Sequence, residues 1–309
     1  MRVVIAGGTG LIGRLLVNSL VNDKHEVTLL SRNPNRSRKD LPTAVKMAQW
    51  DGKSVGDWTQ FIEKADILVN FAGENLAGEG FFPERWTDEK KRRIRESRLN
   101  SGRAIVEALK QIEKKPPVLL QSSAIGYYGI RGDEIVTETT PPLSDFLAEV
   151  AVEWEATTSE AESLGVRRIV VRTGLILTSE GGPLTRLLPF YKLYGGNYFG
   201  NGKQWWSWIH WLDEIRALRF LMEHESAAGP FNLTAPNPVT NREFGKALGK
   251  AMNRPSYVPV PAFAMKLMMG EVATVVLDGQ RAIPEKLEEL GFAFRFPEVT
   301  GALSDILDS

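Results

Sequence analysis

The sequence predicts an α/β protein built on a doubly wound parallel sheet, with a smaller α+β domain at its C-terminal end. Three observations carry this expectation. The chain opens with an apolar run, a glycine-rich turn and an apolar helix; strand-like and helix-like segments then alternate to about residue 175; beyond that point the texture changes. Val3, Val4, Ile5 and Ala6 are apolar at every position, as in a strand covered on both faces. Helical spacing follows in Leu11, Ile12, Leu15, Leu16, Ser19 and Leu20, and residues 26–30 supply a second strand at βαβ distance. A strand over 66–73 comes next, then a long charged helix over 88–113 with Ile94, Leu99, Ile105, Val106 and Leu109 as its buried stripe. A strand at 117–123, a helix over 149–164 and a strand at 168–172, ending in Thr173-Gly174, complete the alternation.

The first turn carries Gly7, Gly10 and Gly13 in G-x-x-G-x-x-G spacing. Gly7 suits a tight turn, Gly10 lets the backbone approach a pyrophosphate, and Gly13 lets the helix pack on the strand. The helix N-terminus offers unpaired N–H groups to an anion. The expected dinucleotide cradle comprises Gly7, Thr9, Gly10, Leu11, Ile12 and Gly13. At the end of the second strand an NAD protein keeps Asp or Glu for the ribose hydroxyl, whereas this chain has Ser31 and Arg32. A guanidinium forks onto a 2′-phosphate, with a charge-assisted hydrogen bond of about 1.5–3 kcal/mol. NADP(H) is therefore the expected cofactor; solvated loop charges are the leading reading of Arg36 and Arg38, and additions to the same phosphate site the lesser one.

Composition removes other classes. Lys plus Arg and Asp plus Glu both number 38, so no global charge steers the chain to nucleic acid or an anionic membrane. The absence of cysteine excludes disulfides and zinc–thiolate sites. His25, His210 and His224 lack metal-ligand spacing, so no metal is expected. Without an apolar run of membrane-spanning length or a leader pattern, the expected location is the cytoplasm. The basic run at 89–93 lies among acids on a helix and reads as a solvated face.

Ligands of an open parallel sheet sit beyond the carboxyl ends of its strands. Residues 71–75, 122–128 and 172–176 therefore belong to one cleft, with Phe71, Ala72, Gly73, Glu74, Ser122, Gly174 and Ile176 facing the cofactor. Later, Gly181-Gly-Pro183, Gly195-Gly-Asn197 and Gly200-Asn-Gly202 interrupt the chain, and Trp205, Trp206, Trp208 and Trp211 crowd together. Packing between domains is the leading role for these tryptophans, and stacking on a substrate or nicotinamide ring the lesser one. Asp213 is expected to cap the helix that follows, and Arg172 to pair with an acid elsewhere. The expected division is a Rossmann-type NADP-binding domain over 1–175, with 203–235 contributing, and a small substrate domain over 176–309.

The chain resembles the extended short-chain dehydrogenase/reductases of the epimerase/dehydratase superfamily, and more narrowly the epimerase family proteins with a distinctive C-terminal domain. GGTGLIG at 7–13, SRNP at 31–34, NFAGENLAG at 70–78, RWT at 85–87, SR at 97–98, SSAIGYYG at 122–129, VRTGLIL at 171–177 and SWIH at 207–210 carry the resemblance. So do FLAEV and WE within 146–155, and GEVA, LDGQRAIP and LGFAF in the tail. The resemblance implies an NADP-binding Rossmann fold and places Arg98 toward the cofactor cleft. It also implies a Ser/Thr, Tyr and Lys triad, in which tyrosinate exchanges the alcohol proton and lysine lowers its pKa. Here the matching positions hold Ala124, Phe146 and Val150.

Two functions fit this pattern. In the first, the chain is an NADP(H)-dependent oxidoreductase or nucleotide-sugar epimerase with a rebuilt site, Tyr127 or Tyr128 acting as acid–base group and Ser122 or Ser123 orienting a carbonyl. Its partner would be a small carbonyl compound or nucleotide sugar. In the second, the fold keeps the nucleotide without chemistry and acts as an NADPH-responsive regulatory protein. Family members dimerise through helices matching 88–113 and 145–163; the charge on the first leaves monomer and homodimer both open.

Overall fold

A computed structural model defines the fold and describes residues 1–38, 41–78, 80–193, 196, 198–254 and 259–308. Gly195 and Asn197, both in one of the glycine-rich interruptions noted above, lie outside the described residues. In chain order the first half contains β1 (Arg2–Ala6), α1 (Leu11–Asn22), β2 (Glu26–Ser31), α2 (Pro34–Ser37), β3 (Lys46–Gln49), α3 (Thr59–Ile62), β4 (Ile67–Asn70), α4 (Asp88–Gln111) and β5 (Val118–Ala124). Next come β6 (Ile135–Val136), α5 (Phe146–Ala156), β7 (Arg167–Thr173), β8 (Leu175–Leu177), α6 (Gly182–Lys192), β9 (Trp205–Trp206), β10 (Trp208–His210) and α7 (Trp211–Glu223). The chain then adds β11 (Gly229–Leu233), β12 (Val239–Thr240), α8 (Asn241–Ala251), α9 (Ala262–Met269), α10 (Thr274–Leu277), β13 (Arg281–Ala282), α11 (Glu285–Glu289) and α12 (Val299–Asp308).

Seven strands form one parallel sheet in the order β11-β7-β5-β4-β1-β2-β3. The order reverses between β1 and β4, so the loops after these two strands diverge and leave a crevice at the carboxyl edge. Alternation along each strand divides the core. Val3, Ile5, Leu29, Val69, Leu120 and Val171 face α1 and α7, while Val4, Ala6, Leu30, Leu68 and Leu119 face α3 and α4. The doubly wound α/β fold class expected from the first twenty residues is the fold observed. β11, late in the chain, is the edge strand of this sheet.

The smaller part packs around another cluster. Leu177, Leu184, Tyr191, Trp206, Trp208, Phe244, Leu248 and Leu303 are buried together. Trp206 and Trp208 are therefore core residues, and Trp205 donates to Asp133 Oδ1 at 2.8 Å under the Arg281 guanidinium. Ring stacking on a ligand, the lesser reading for this group, receives no support from these positions.

Three expectations need correction. The helix placed at 149–164 is α5, which starts at Phe146 because the Asp145 carboxylate accepts from Ala148 N at 3.0 Å. It ends at Ala156, and a 3₁₀ turn over Ser159–Ala161 follows. Asp213 does not cap α7. That role belongs to His210, whose Nδ1 accepts from Leu212 N, while the buried Asp213 carboxylate accepts from the Arg295 and Phe296 amides and anchors the C-terminal segment. Finally, β3 was not anticipated, since Lys46–Gln49 has neither an apolar run nor clean alternation.

Candidate cofactor cleft

A cleft of about 1720 Å³ follows the carboxyl edge of the sheet. Its floor is the loop between β1 and α1. Gly7 has φ +74°, and a Cβ there would lie 2.5 Å from the Phe71 carbonyl carbon. Gly13 packs on the preceding turn so closely that a Cβ would reach Gly8 Cα at 2.5 Å. Both glycines are thus required by the protein's own packing. Gly10 differs: its Cβ would meet only Gly7 O at 3.4 Å, and Gly10 lines the cleft, so its small size keeps open a space in front of α1. No side chain caps α1 at Gly10, which leaves the helix N-terminus directed to that space.

At one end of the cleft, Ser31 Oγ bonds Ser37 Oγ at 2.8 Å and accepts from Asn33 N, which shapes the turn after β2. Arg32 lines the cleft, exposed, and among the described residues its guanidinium has no partner. Arg36 lines the same end, whereas Arg38 turns away to the Thr43 and Val45 carbonyls at 2.7 Å.

The loop after β4 forms the facing wall. Asn70 is buried, donates to Gln121 Oε1 at 2.9 Å and accepts from Ala72 N at 3.2 Å, which fixes the turn. Phe71, Ala72, Gly73 and Glu74 then line the cleft. Gly73 leaves room for the guanidinium of Arg98, whose Cζ would be 3.2 Å from an added Cβ. Arg98 donates to the Glu74 and Ile94 carbonyls at 3.1 and 3.0 Å and lies 4.9 Å from the Trp154 ring. Removal from water pushes its pKa down to about 10, which still leaves a cation at neutral pH with no carboxylate in contact. A sequestered cation that lines an open cleft is suited to a phosphate or carboxylate group.

Lys90 was missed by the sequence reading. Its ammonium is buried and bridges Glu74 at 3.0 Å and Glu84 at 2.9 Å, and these carboxylates hold its pKa above the usual lysine value against the effect of burial. The signal was present: Lys90, Ile94 and Arg98 are spaced four apart on the inward stripe of α4. Of the rest of the run, Arg92 is on the solvated face expected, paired to Glu89 and Glu96, whereas Lys91 pairs with Glu271 over the Phe146 ring and Arg93 lines the cleft beside Glu74.

The end of β5 departs most from expectation. Ser123 Oγ donates to Glu155 Oε1 at 2.6 Å, and Glu155 grips Arg172 through two contacts at 2.8 and 2.9 Å. Arg172 donates to the Tyr128 hydroxyl at 3.0 Å, Tyr128 donates to Asn232 Oδ1 at 2.6 Å, and the Asn232 amide donates to Glu138 Oε1 at 2.9 Å. Burial pushes the Tyr128 pKa up to about 12. This chain of contacts joins β5, β7, α5 and β11. Ser123 and Tyr128, expected among the reacting groups, are occupied by it and do not line the cleft. Tyr127 is half-buried, its ring 3.4 Å from the Arg172 guanidinium carbon, and among the described residues neither its hydroxyl nor Ser122 Oγ makes a hydrogen bond.

Eleven of the sixteen expected cofactor residues line the cleft: Gly7, Thr9, Gly10, Leu11, Ser31, Arg32, Phe71, Ala72, Gly73, Glu74 and Arg98. Ile12, Gly13, Ser122, Gly174 and Ile176 do not. Gly174 instead marks a close backbone crossing, where a Cβ would sit 2.4 Å from Ser207 O.

The profile of the NAD dependent epimerase/dehydratase family matches residues 3–234. The chain belongs to that family. Residues 260–306 match a domain of unknown function, DUF1731. An epimerase family protein of Staphylococcus aureus is 38% identical over 307 residues, 98% of each chain. The Arabidopsis thaliana protein named epimerase family protein SDR39U1 homolog, chloroplastic, is 36% identical over 99% of this chain and 87% of its own. Among solved structures, human epimerase family protein SDR39U1 (isoform 2) with NADPH matches with TM-score 0.88 and 29% identity, over 100% of this chain and 99% of the other. A nucleoside-diphosphate sugar epimerase from Corynebacterium glutamicum matches with TM-score 0.75 and 31% identity, over 99% of this chain and 57% of that one. Gly7 and Gly10 of the glycine turn and Arg32 after β2 line the same cleft. Among the described residues no helix is long and apolar enough to cross a membrane.

Proposed function

We propose that this protein binds NADP(H) along the carboxyl edge of its sheet and is an oxidoreductase or epimerase acting on a carbonyl-containing small molecule. The observation that carries the reading is a glycine-floored, uncapped α1 N-terminus with an unpartnered Arg32 at one end of the same cleft. These residues fit a phosphorylated dinucleotide. The N-terminus of α1, with Arg98 from the facing wall, would hold the pyrophosphate, and Arg32 and Arg36 the 2′-phosphate. The NADPH carried by human SDR39U1 supports this choice of cofactor. When bound, NADPH supplies a hydride to an electrophilic carbon.

The protein's own contribution is binding, orientation and the proton. None of the four groups expected to react lines the cleft; Ser122 and Tyr127 alone keep hydroxyls outside the buried network, and on that ground we assign carbonyl orientation and proton exchange to that pair. A second reading rests on the same network. Because Ser123 and Tyr128 are fixed between strands and Ala124, Phe146 and Val150 replace the family triad, the chain also suits an NADPH-responsive binding protein in which nucleotide orders the cleft for a partner. Single-turnover oxidation of bound NADPH with a panel of ketones and aldehydes separates the two. Turnover that is lost in Tyr127→Phe supports the enzyme, and tight NADPH binding without turnover of any carbonyl supports the regulator. We also propose the division into a nucleotide domain over 1–175 with 203–235 and a small domain over the remaining C-terminal residues.

A further inference from the structure

The far end of the cleft, away from Arg32, is walled by residues 76–78, 80, 81 and 84, the start of α6 and α10. Phe81 and Val275 line it and are 46% and 42% exposed. Phe81 stands edge-on to Phe82 with ring centroids 5.2 Å apart, and 6.0 Å from Phe190 of α6. Phe82 and Phe190 are 63% and 47% exposed, so three aromatic rings form a wet apolar rim continuous with the cleft. Large apolar side chains left in water next to a concave site mark a surface that some ligand covers.

Among the described residues, most polar groups at this end are already engaged. Arg186 donates to the Gly78 and Gly80 carbonyls, and Thr185 Oγ1 donates to Gly182 O. Lys90 is held between Glu74 and Glu84, Arg93 lies 3.5 Å from Glu74, and Asn75 Oδ1 accepts from Ala77 N. A sugar nucleotide brought here would give up the hydration of its hydroxyls and diphosphate for few free partners, which is a net loss. An apolar body would gain from covering the rings.

Resting on the cofactor reading above, we propose that the substrate is an apolar ketone or aldehyde, its alkyl or aryl body lying on Phe81, Phe190 and Val275, and not a sugar nucleotide. Reduction of such a compound takes one hydride from NADPH to the carbonyl carbon and one proton to the oxygen, opening the C=O π bond and leaving alcohol and NADP⁺.

The test is ligand-observed NMR titration of the full chain, with and without saturating NADPH, using 2-hexanone, 2-octanone, 2-decanone and UDP-glucose as probes. The expected result is affinity that rises about fourfold per added methylene as chain burial extends. Phe81→Ser should flatten that dependence and weaken 2-decanone at least fivefold, while Leu193→Ser, exposed but outside the cleft, should leave both unchanged. Affinity independent of chain length, or UDP-glucose binding more tightly than 2-decanone, would overturn the proposal. Failure of NADPH to bind would refute the cofactor reading alone, because the alkanone series still reports on the rim without it.

Discussion

Glu214 lies on α7 in the core beneath the sheet's carboxyl edge, 1% exposed, with Oε1 accepting from Thr173 Oγ1 at 2.9 Å and Oε2 without a hydrogen-bond partner among the described residues. Burial pushes its pKa up to about 8, and the Thr173 bond opposes that only in part. The folded protein therefore keeps a proton here that the unfolded chain, with an ordinary glutamate, releases near pH 4.5. The sign follows from linkage: this group's contribution to stability is fully present below about pH 4.5, is lost as pH rises toward about 8, and is constant beyond. At 1.36 kcal/mol per unit, the loss between pH 5 and pH 7 is about 2.5 kcal/mol. Glu214→Gln keeps the shape and removes the titration. Urea unfolding of nucleotide-free wild type and variant at half-unit steps from pH 5 to 8 reads the difference, in which every other titrating group cancels. The variant should gain on the wild type by about 2.5 kcal/mol over pH 5 to 7 and by little more above pH 8. A difference that does not change with pH would refute the account of a neutral buried carboxyl.

Arg32→Asp should weaken NADPH binding at least about tenfold and leave NADH nearly unchanged, since it removes one charge-assisted contact specific to the 2′-phosphate; equal losses by calorimetry would remove that assignment. Tyr128→Phe strands the Asn232 carbonyl oxygen and one Arg172 N–H, so it should cost about 1–3 kcal/mol in urea unfolding with NADPH affinity retained. A collapse of NADPH affinity at full stability would instead return Tyr128 to the cleft. Rebuilding the family motif with Phe146→Tyr and Val150→Lys should fail: Val150 is buried with Ile94, Met265 and Val272, and an unpaired ammonium there should cost about 3–5 kcal/mol. A stable double variant that gains carbonyl reductase activity would show that the triad positions still face substrate.

The legible features of this chain were local ones. A strand covered on both faces reads as an unbroken apolar run, and a turn whose backbone must approach another backbone needs glycine, so β1, Gly7 and Gly13 could be placed from spacing alone. Arg32 was legible because the residue after β2 stands at the carboxyl edge of the sheet, where it lines the cleft. The β5 end was not legible. Ser123 and Tyr128 look like reacting groups in sequence, and only the fold shows that Glu155 and Asn232, 32 and 104 residues further along, satisfy them. Lys90 failed for a related reason: a lysine among charges reads as solvated until Glu74 and Glu84 are seen to close around it. Asp213 preceded a predicted helix and so resembled a cap, yet its partners, the Arg295 and Phe296 amides, lie more than eighty residues away.

The central claim is that the glycine-floored edge with Arg32 holds a 2′-phosphorylated dinucleotide. Calorimetric titration of the purified, nucleotide-stripped protein with NADPH and, in parallel, NADH tests it most directly. Micromolar or tighter NADPH binding, with NADH at least about tenfold weaker, is the predicted result. No heat of binding for either nucleotide, or equal affinity for both, would contradict it.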